Sequence, residues 1–176
     1  MIKLSIITIN LNNAIGLKKT MESIVAQTSG NFEYIIIDGG STDGSVEIIK
    51  SFTNIQPGIY IPTQLQHQPI SYWISKPDTG IYNAMNKGIK ISKGQYCQFL
   101  NSGDWLAKSD VIEKMLKNMP ECSILYGNML KHLPDDKVLY NKQIPINSLL
   151  TFYMGSLNHS STFIKRSLFE KYGFND

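Results

Sequence analysis

Runs of apolar, mostly β-branched residues alternate with amphipathic stretches through the first hundred residues of the chain. The strand-like runs cover residues 2–9, 32–37, 71–75 and 95–100. The first run is almost continuously apolar, which is typical of a buried strand in a parallel sheet. Between the runs, apolar residues recur at helical spacing. This β-α-β-α order predicts an α/β fold in which a mostly parallel central sheet carries helices on both faces.

The first two helices are expected to follow polar turns. Asn12 or Asn13 can cap the first helix, and the polar stretch at residues 27–30 ends it. Asp43 is expected to cap the second helix, which begins at Ser45. The expected inward positions of these two helices are Leu17, Met21, Ile24, Val25, Val46, Ile49 and Phe52.

The third and fourth helices carry boundary signals of their own. We expect Gly94 to close the third helix, because glycine favours the left-handed conformation that follows many helix ends. The fourth helix is expected to begin near Ser109, with Asp110 and Glu113 as a capping-box pair, and to stop at Pro120. The expected buried positions are Ile81, Met85 and Ile89 in the third helix, and Ile112, Met115, Leu116 and Met119 in the fourth.

The remaining segments are less regular. Residues 53–69 are expected to form a loop with a short strand at residues 59–61. The apolar segment 149–154 lines a substrate groove, rests on a membrane or, as we favour, belongs to the core. Further strands are expected at residues 123–126, 138–140 and 158–164, and a short helix at residues 167–172.

The composition is that of an ordinary globular domain. A chain of 176 residues can form one domain with a full core, and a net charge of +3 without a basic stripe argues against nucleic-acid binding. Cys97 and Cys122 match no metal-site spacing and are interpreted as buried thiols in a reducing compartment. No apolar run reaches the roughly 18 residues that span a bilayer. We therefore expect a cytoplasmic protein whose membrane association is at most peripheral.

Polar and acidic residues follow the strand-like runs. Thr8 and Asn10 end the first run, and Asp38, Asp78 and Asp104 follow the next three. Because the carboxyl ends of neighbouring parallel strands share one edge of a sheet, we expect these side chains to converge. A hard divalent cation prefers oxygen ligands and commonly bridges a carboxylate to substrate phosphates. We therefore interpret Asp104 as a metal ligand; the alternative is a simple turn residue, since Asp is a common turn former.

Four blocks of the sequence resemble the family 2 glycosyltransferases of the GT-A fold. They are Asp38-Gly-Gly-Ser-Thr-Asp-Gly-Ser45, Asp78-Thr-Gly-Ile-Tyr-Asn-Ala-Met-Asn-Lys-Gly88, Phe99-Leu-Asn-Ser-Gly-Asp104 and His159-Ser-Ser-Thr-Phe163. In order, they resemble the nucleotide-binding start, a block of one branch of the family, the metal motif and an acceptor-side block. The resemblance implies one glycosyltransferase domain over residues 1–176, with a nucleotide- and metal-binding half at 1–104 and the start of an acceptor-binding half at 105–176.

The resemblance implies transfer of a sugar from a nucleotide-diphosphate donor, a UDP-sugar above all, to an acceptor hydroxyl with inversion. The implied acceptor is a saccharide or lipid-linked saccharide, in surface polysaccharide synthesis at the inner face of a membrane. The implied metal is Mg²⁺ or Mn²⁺, bound by Asp104, which stabilises the departing diphosphate as a Lewis acid. The implied nucleotide- or donor-binding residues are Thr8, Asn10, Asp38, Asp78, Asn86, Lys87, Asn101, Ser102 and Gly103.

The metal block departs from the family pattern. Asn101 and Gly103 stand where the family often has acids, so Asp104 is the only carboxylate of this block. We therefore expect weak metal affinity in the absence of the diphosphate. His159 is a second candidate catalytic residue, which would touch the acceptor or the metal-diphosphate. The alternative is that His159 has a structural role.

The catalytic base is not assigned by the sequence. An inverting displacement needs a base that deprotonates the acceptor hydroxyl. In the family, that base usually follows a segment like Gly173-Phe-Asn-Asp176, where this sequence stops, so a truncated acceptor half is expected and Asp176 is an outside candidate. The alternative function is a nucleotide-binding fragment without turnover. A sugar-1-phosphate nucleotidyltransferase ranks lower, because residues 10–13 lack the Gly-rich, basic loop expected there.

Overall fold

The computed structural model describes residues 2–61, 69–117, 121–135, 137–143, 157–171 and 173–174. The strands are β1 (Leu4–Asn10), β2 (Phe32–Asp38), β3 (Tyr72–Ser75), β4 (Tyr96–Phe99), β5 (Ile124–Tyr126), β6 (Met129–His132), β7 (Val138–Asn141) and β8 (Thr162–Lys165). The helices are α1 (Ala14–Val25), α2 (Ser45–Phe52), α3 (Ile81–Ile91), α4 (Val111–Lys117) and α5 (Ser167–Lys171), and a 3₁₀ turn covers His159–Ser161.

The main sheet has the strand order β3-β2-β1-β4-β8-β5. Strands β3, β2, β1 and β4 run parallel, whereas β8 pairs antiparallel with both β4 and β5. Strands β6 and β7 form a separate antiparallel ribbon. The predicted mostly parallel central sheet is therefore confirmed.

Helices cover both faces of this sheet, as predicted. All seven positions of β1 and of β2 are buried, because successive side chains point to opposite faces of the sheet and each face is covered by a helix layer. On one face, Ile6 and Tyr34 pack with apolar residues of α1, α2 and α4. On the other face, Ile7, Ile35 and Phe99 pack with residues of α3 and α5. The apolar core thus lies in two layers on either side of β1 and β2.

The first two helix starts differ in how closely they match the sequence expectation. Asn13 caps α1 as predicted, with its side chain accepting from Gly16 N at 3.1 Å. The predicted cap of α2 was wrong, because Gly44 occupies the N-cap position in a left-handed conformation. The Asp43 carboxylate instead accepts from Ser45 N at 3.1 Å and from Ala14 N at 2.7 Å. Asp43 therefore joins the starts of α1 and α2.

The predicted capping box of α4 was also wrong. The Asp110 carboxylate binds Lys114 Nζ at 2.6 Å, and Glu113 accepts from the Thr28 hydroxyl at 2.6 Å. Gln27 satisfies the backbone N–H of Ile112 in place of a local cap. The predicted stop at Pro120 lies outside the described residues.

Helix α3 confirms two of the three expected inward positions, because Met85 is buried and Ile89 packs against the core, whereas Ile81 does not. Ile81 is 50% exposed, and the buried positions are Ala84, Met85 and Gly88. A Cβ atom on Gly88 would lie 2.4 Å from Ile7 Cγ2, so glycine lets the helix approach the sheet closely. Gly94 does not close the helix, whose C-cap is Ser92.

Several short segments also correct the sequence expectation. No strand forms at residues 59–61, although Ile61 N donates to Ser71 O at 2.7 Å. The strand expected over residues 158–164 is divided into the 3₁₀ turn and β8, and β6 was not predicted. Cys97 is buried as expected, whereas Cys122 is partly exposed. The segment 149–154 lies outside the described residues, and none of the described helices is long and apolar enough to cross a membrane.

We predict that Gly88→Ala destabilises the protein by about 1–3 kcal/mol, because the added methyl group overpacks the α3–β1 contact. Helix propensity alone would predict the opposite sign, since alanine is favoured over glycine by about 1 kcal/mol in a helix. Urea denaturation of the two proteins measures the difference in the free energy of unfolding. Gly30→Ala is the control, because nothing lies within 4 Å of a Cβ at that position. A more stable Gly88→Ala protein would contradict the close packing.

Candidate functional site

The carboxyl ends of the first three parallel strands lie in register. Asn10 of β1 pairs with Asp38 of β2, and Asp38 pairs with Ser75 of β3. Beyond β4, the turn that carries Asp104 stays attached to β1, because Ser102 N donates to Ile9 O at 3.0 Å. The structure therefore brings these predicted residues to neighbouring strand ends along one edge of the sheet.

Asp38 lies at the centre of a hydrogen-bond network on this edge. It accepts from the side chains of Asn10 (2.7 Å), Ser41 (2.6 Å) and Ser75 (2.6 Å), and from the backbone N–H groups of Gly40 and Ser41. Its exposed fraction is 0%. Burial raises the pKa of Asp38, but the hydrogen bonds outweigh burial and lower the pKa below its ordinary value of 3.8. As the structure stands, both oxygens face protein donors.

Two loops are joined above Asp38. Asn12 adopts a positive φ of 49°, and its backbone N–H donates to Ser41 Oγ at 2.8 Å. The Asn12 side chain in turn accepts from Thr42 N at 2.9 Å. Together with the Asp43 contact to α1, these bonds fix the β1–α1 loop to the β2–α2 loop.

Asp78 lies beside the second of these loops. Its Oδ2 atom would be 3.1 Å from a Cβ on Gly39, and its Oδ1 accepts from Gly80 N at 3.2 Å. Lys87 Nζ donates to Pro77 O at 3.2 Å and so holds the segment that carries Asp78 against α3. Asp78 is partly exposed, so one carboxylate of this edge remains accessible to solvent.

Asp104 lies on a tight turn whose shape is set by α1. Gly103 has a φ of 102°, and Asp104 N donates to Asn101 O at 2.9 Å. The buried hydroxyl of Thr20 accepts from Gly103 N at 3.0 Å and donates to Asp104 O at 2.7 Å. Asn13 Nδ2 donates to Ser102 O at 3.0 Å. These bonds fix the backbone of the turn and leave the Asp104 side chain 42% exposed.

His159 approaches the same turn from the 3₁₀ turn before β8. Its Nε2 atom lies 3.7 Å from Asp104 Oδ2 and 3.1 Å from Asn101 Nδ2. A neutral imidazole nitrogen can donate or accept, so the tautomer of His159 decides its role in the contact with Asn101. The structure thus brings together the two candidate catalytic residues, 55 positions apart in the sequence, at one exposed point.

Trp105 directly follows this turn and was not assigned a role by the sequence. Lys19 Nζ lies 3.4 Å from the centroid of its ring, and the His132 ring lies 4.8 Å away. The indole therefore connects α1 to the β6–β7 ribbon. No sequence pattern indicates that Lys19 and His132 contact Trp105.

Two of the predicted donor-binding residues make contacts within the protein. Thr8 is fully buried and its hydroxyl accepts from Tyr34 Oη at 3.1 Å. Asn86 Nδ2 donates to Phe174 O at 2.9 Å, and Asn86 Oδ1 accepts from Phe174 N at 3.0 Å. The Asn86 side chain therefore holds the backbone of Phe174.

The residues at Asp104 fit a divalent metal ion only with help from a ligand. The described part of the chain contains no group of three or more His, Cys, Asp or Glu residues that could hold a metal ion. Asn101 Oδ1 is buried and lacks a hydrogen-bond partner among the described residues, as does Asn10 Oδ1. One carboxylate, one imidazole and an unpaired amide oxygen match the nitrogen and oxygen ligands that Mn²⁺ accepts, so Asp104, His159 and Asn101 are the residues that would hold such an ion.

The family is decided by a comparison over almost the whole chain. Residues 5–173 match the family model described as "Glycosyl transferase family 2". The chain belongs to glycosyltransferase family 2.

Curated relatives support this family assignment. The chain is 36% identical over 114 residues to an uncharacterized glycosyltransferase of Mycobacterium tuberculosis, covering 64% of this chain and 38% of that protein. It is 32% identical over 129 residues to a PGL/p-HBAD biosynthesis glycosyltransferase of Mycobacterium bovis, covering 71% of this chain and 46% of that protein. The chain therefore spans less than half the length of these relatives.

Solved structures support the GT-A fold of this family member. The crystal structure of Staphylococcus aureus TarS in complex with UDP superposes with a TM-score of 0.69 at 16% identity, covering 96% of this chain and 48% of that chain. The mannosyltransferase PcManGT of Pyrobaculum calidifontis, in complex with GDP-Man and Mn²⁺, gives a TM-score of 0.68 at 14% identity, covering 98% and 47%. At these identities the likeness shows the fold alone.

We predict that Asp38→Asn lowers the free energy of unfolding at pH 7 by about 1–3 kcal/mol, because the buried donors lose their charged acceptor. Folding lowers the pKa of Asp38, so its stabilising contribution is complete above pH 3.8 and is lost as the pH falls through the folded value. The difference between variant and parent should therefore shrink below pH 3.8 in urea denaturation. Asp135→Asn, on an exposed pair with Lys137, is the control and should cost little.

We predict that Thr20→Val destabilises the protein by about 1–3 kcal/mol. Valine has nearly the same shape as threonine, but the turn at residues 101–104 loses the buried hydroxyl to which it is hydrogen-bonded. Urea denaturation measures the change, and amide hydrogen exchange at Gly103 should become faster. Thr42→Val, at an exposed position, is the matched control. Equal effects of the two substitutions would mean that Thr20 does not hold the turn.

Proposed function

We propose that this family 2 glycosyltransferase domain binds a nucleotide-diphospho-sugar across the strand ends that carry Asp38, Asp78 and Asp104, and that the sugar is transferred with inversion. The observation that supports this is the placement of Asp78 and Asp104, both accessible, on loops that flank the buried Asp38 network. A ligand carrying a base at one end and a diphosphate at the other suits an edge with separated polar groups.

In this proposal, Asp104 and His159 hold Mg²⁺ or Mn²⁺ together with the diphosphate. The bound ion supplies charge neutralisation for the leaving diphosphate. Asp104 keeps its position because the Thr20 and Asn13 bonds fix the turn, so little reorganisation is needed when charge develops. With only one protein carboxylate, metal affinity should depend on the diphosphate.

The nucleotide end is assigned to the edge near Asp38 and Asp78. Asn10 and Asp38 are buried and hold the two loops, so their contribution is to fix the shape of the site. Asp78 is the carboxylate that can accept hydrogen bonds from a ribose or base. Asn101, Ser102 and Gly103 form the turn that approaches the diphosphate.

The nature of the donor and acceptor is supported by the named relatives. TarS structures contain UDP or UDP-GlcNAc, and PcManGT contains GDP-Man and Mn²⁺. A relative assigned to PGL/p-HBAD biosynthesis supports a saccharide or lipid-linked saccharide acceptor, which we place at the inner face of a membrane. The chain spans less than half the length of such relatives, so we treat donor binding and sugar transfer as separate proposals. The second candidate function is that of a fragment that binds the donor without transferring the sugar.

We predict that UDP with Mn²⁺ raises the melting temperature of the protein, whereas each alone has a smaller effect. The reason is that the diphosphate supplies oxygen ligands for the metal ion and the metal ion neutralises the charge of the diphosphate. Asp104→Asn should remove the Mn²⁺-dependent part of the increase. Asp110→Asn, at an exposed pair with Lys114 outside this edge, should retain it.

Differential scanning fluorimetry with UDP, GDP, CDP and ADP tests the donor class. No increase with any nucleoside diphosphate and Mn²⁺ would contradict donor binding. Product release from UDP-sugars by this chain and by a longer chain then separates a transferase from a binding fragment.

A further inference from the structure

A buried amide side chain lies on β4, the strand that leads into the turn at residues 101–104. Gln98 is 2% exposed and pairs with Ile6 of β1 and Phe163 of β8. Its Nε2 atom donates to Ser160 O at 2.8 Å, whereas its Oε1 atom is buried and has no hydrogen-bond partner among the described residues. Burial of an amide oxygen without a partner is unfavourable, so packing alone does not explain a glutamine at this position.

The Gln98 side chain attaches the 3₁₀ turn to the sheet. The pairing of β4 with β8 extends along β4 as far as Gln98, which lies opposite Phe163. The 3₁₀ turn comes directly before β8 in the chain. The hydrogen bond from Gln98 to Ser160 O therefore continues the attachment of this segment to β4 and fixes the distance of the turn from the strand.

The internal shape of the 3₁₀ turn depends on a different side chain. Asn158 Oδ1 accepts from Ser160 N at 3.0 Å and from Ser160 Oγ at 2.6 Å. The backbone oxygen of Asn158 accepts from Thr162 Oγ1 at 2.6 Å. These bonds lie within residues 158–162 and do not connect the segment to β4. Asn158 thus shapes the turn, whereas Gln98 places it.

His159 comes directly before the residue that Gln98 holds. Its Nε2 atom lies 3.1 Å from Asn101 Nδ2 and 3.7 Å from Asp104 Oδ2. The side chain of His159 is 49% exposed, so packing constrains the ring on one side only. The position of the imidazole beside Asp104 therefore depends on the backbone that carries it, and a displacement of Ser160 would displace His159 as well.

We propose that Gln98 is a positioning residue, which holds the 3₁₀ turn at the place where His159 faces Asp104. This inference rests on the proposed function, in which Asp104 and His159 hold a divalent ion with the diphosphate. Residues that orient a metal ligand change metal affinity when they are replaced, although they do not touch the ion. Gln98 acts through the backbone of the turn and contacts neither the donor nor the ion.

The first experiment measures Mn²⁺ binding in the presence of UDP from the EPR signal of free Mn²⁺, with UDP alone as the blank. Gln98→Met keeps a side chain of similar length without the donor and should weaken Mn²⁺ binding about ten-fold. Gln98→Asn, whose amide is one methylene group shorter, should also weaken it. Gln95→Met is the matched control just before β4, where the amide accepts from Lys3 Nζ, and should leave Mn²⁺ binding unchanged.

A double-mutant cycle tests whether Gln98 acts through His159. Because His159→Ala removes the ring, the addition of Gln98→Met to it should weaken Mn²⁺ binding no further. An additive loss would overturn the proposal, since a general effect on the fold does not require His159. Unchanged binding in Gln98→Met, an equal loss in Gln95→Met, or failure of both Gln98 variants to fold would also overturn it.

The second experiment measures the position of His159 without metal or nucleotide. NMR of the parent protein should show NOE cross-peaks between the His159 ring and the Asn101 side-chain amide. Gln98→Met should lose most of their intensity, whereas Gln95→Met should keep it. Absent cross-peaks in the parent protein, or retained ones in Gln98→Met, would overturn the positioning role.

The two experiments also separate this inference from the proposed function. Absence of Mn²⁺ binding by the parent protein with UDP, or unchanged binding in His159→Ala, contradicts the proposed role of His159 at the metal ion. The cross-peaks then decide by themselves whether Gln98 positions the ring.

Discussion

A single buried carboxylate determines how the strand ends of this protein meet. Asp38 accepts from side chains on β1, on its own loop and on β3, so three segments distant in sequence are tied at one point. A buried charge of this kind is tolerated only when donors surround it, and here they outweigh the cost of burial. This network positions the loops that carry Asp78 and the N-cap of α1. The segment of the accessible Asp78 is thus held by an inaccessible carboxylate, whereas the turn of Asp104 is held by Thr20 and Asn13.

The fold could be predicted where the pattern is long and local. The continuous apolar runs of β1 and β2 predicted both that they are strands and that they are buried in the middle of the fold, because a strand covered on both faces needs apolar residues at successive positions. Spacing predicted the burial of Met85 in α3 but not that of Gly88, which depends on the close approach of the helix to Ile7. Strand β6 is mostly exposed, so packing left little pattern in its sequence.

The sequence predicted that the candidate residues lie at strand ends, but not how they are oriented. Asp38 and Asp104 both follow a strand and look alike in sequence, yet one is 0% exposed and the other has a 42% exposed side chain. The difference arises from donors supplied by distant segments, such as Ser75, which no local pattern reveals. Asn86 shows the same limit, because its partner Phe174 lies 88 residues away. Position at a strand end is local information, whereas hydrogen-bond partners are tertiary.

The placement of Trp105 gives the molecule an internal optical reporter. The chain has two tryptophans, and the other, Trp73, is 1% exposed in the core, with its indole N–H bonded to Ile55 O. Trp73 therefore contributes a steady, blue-shifted emission. Trp105 lies between an ammonium group and an imidazole and directly follows Asp104 in the chain, so its emission is sensitive to charge. Intrinsic fluorescence can thus follow occupancy of the site without a label.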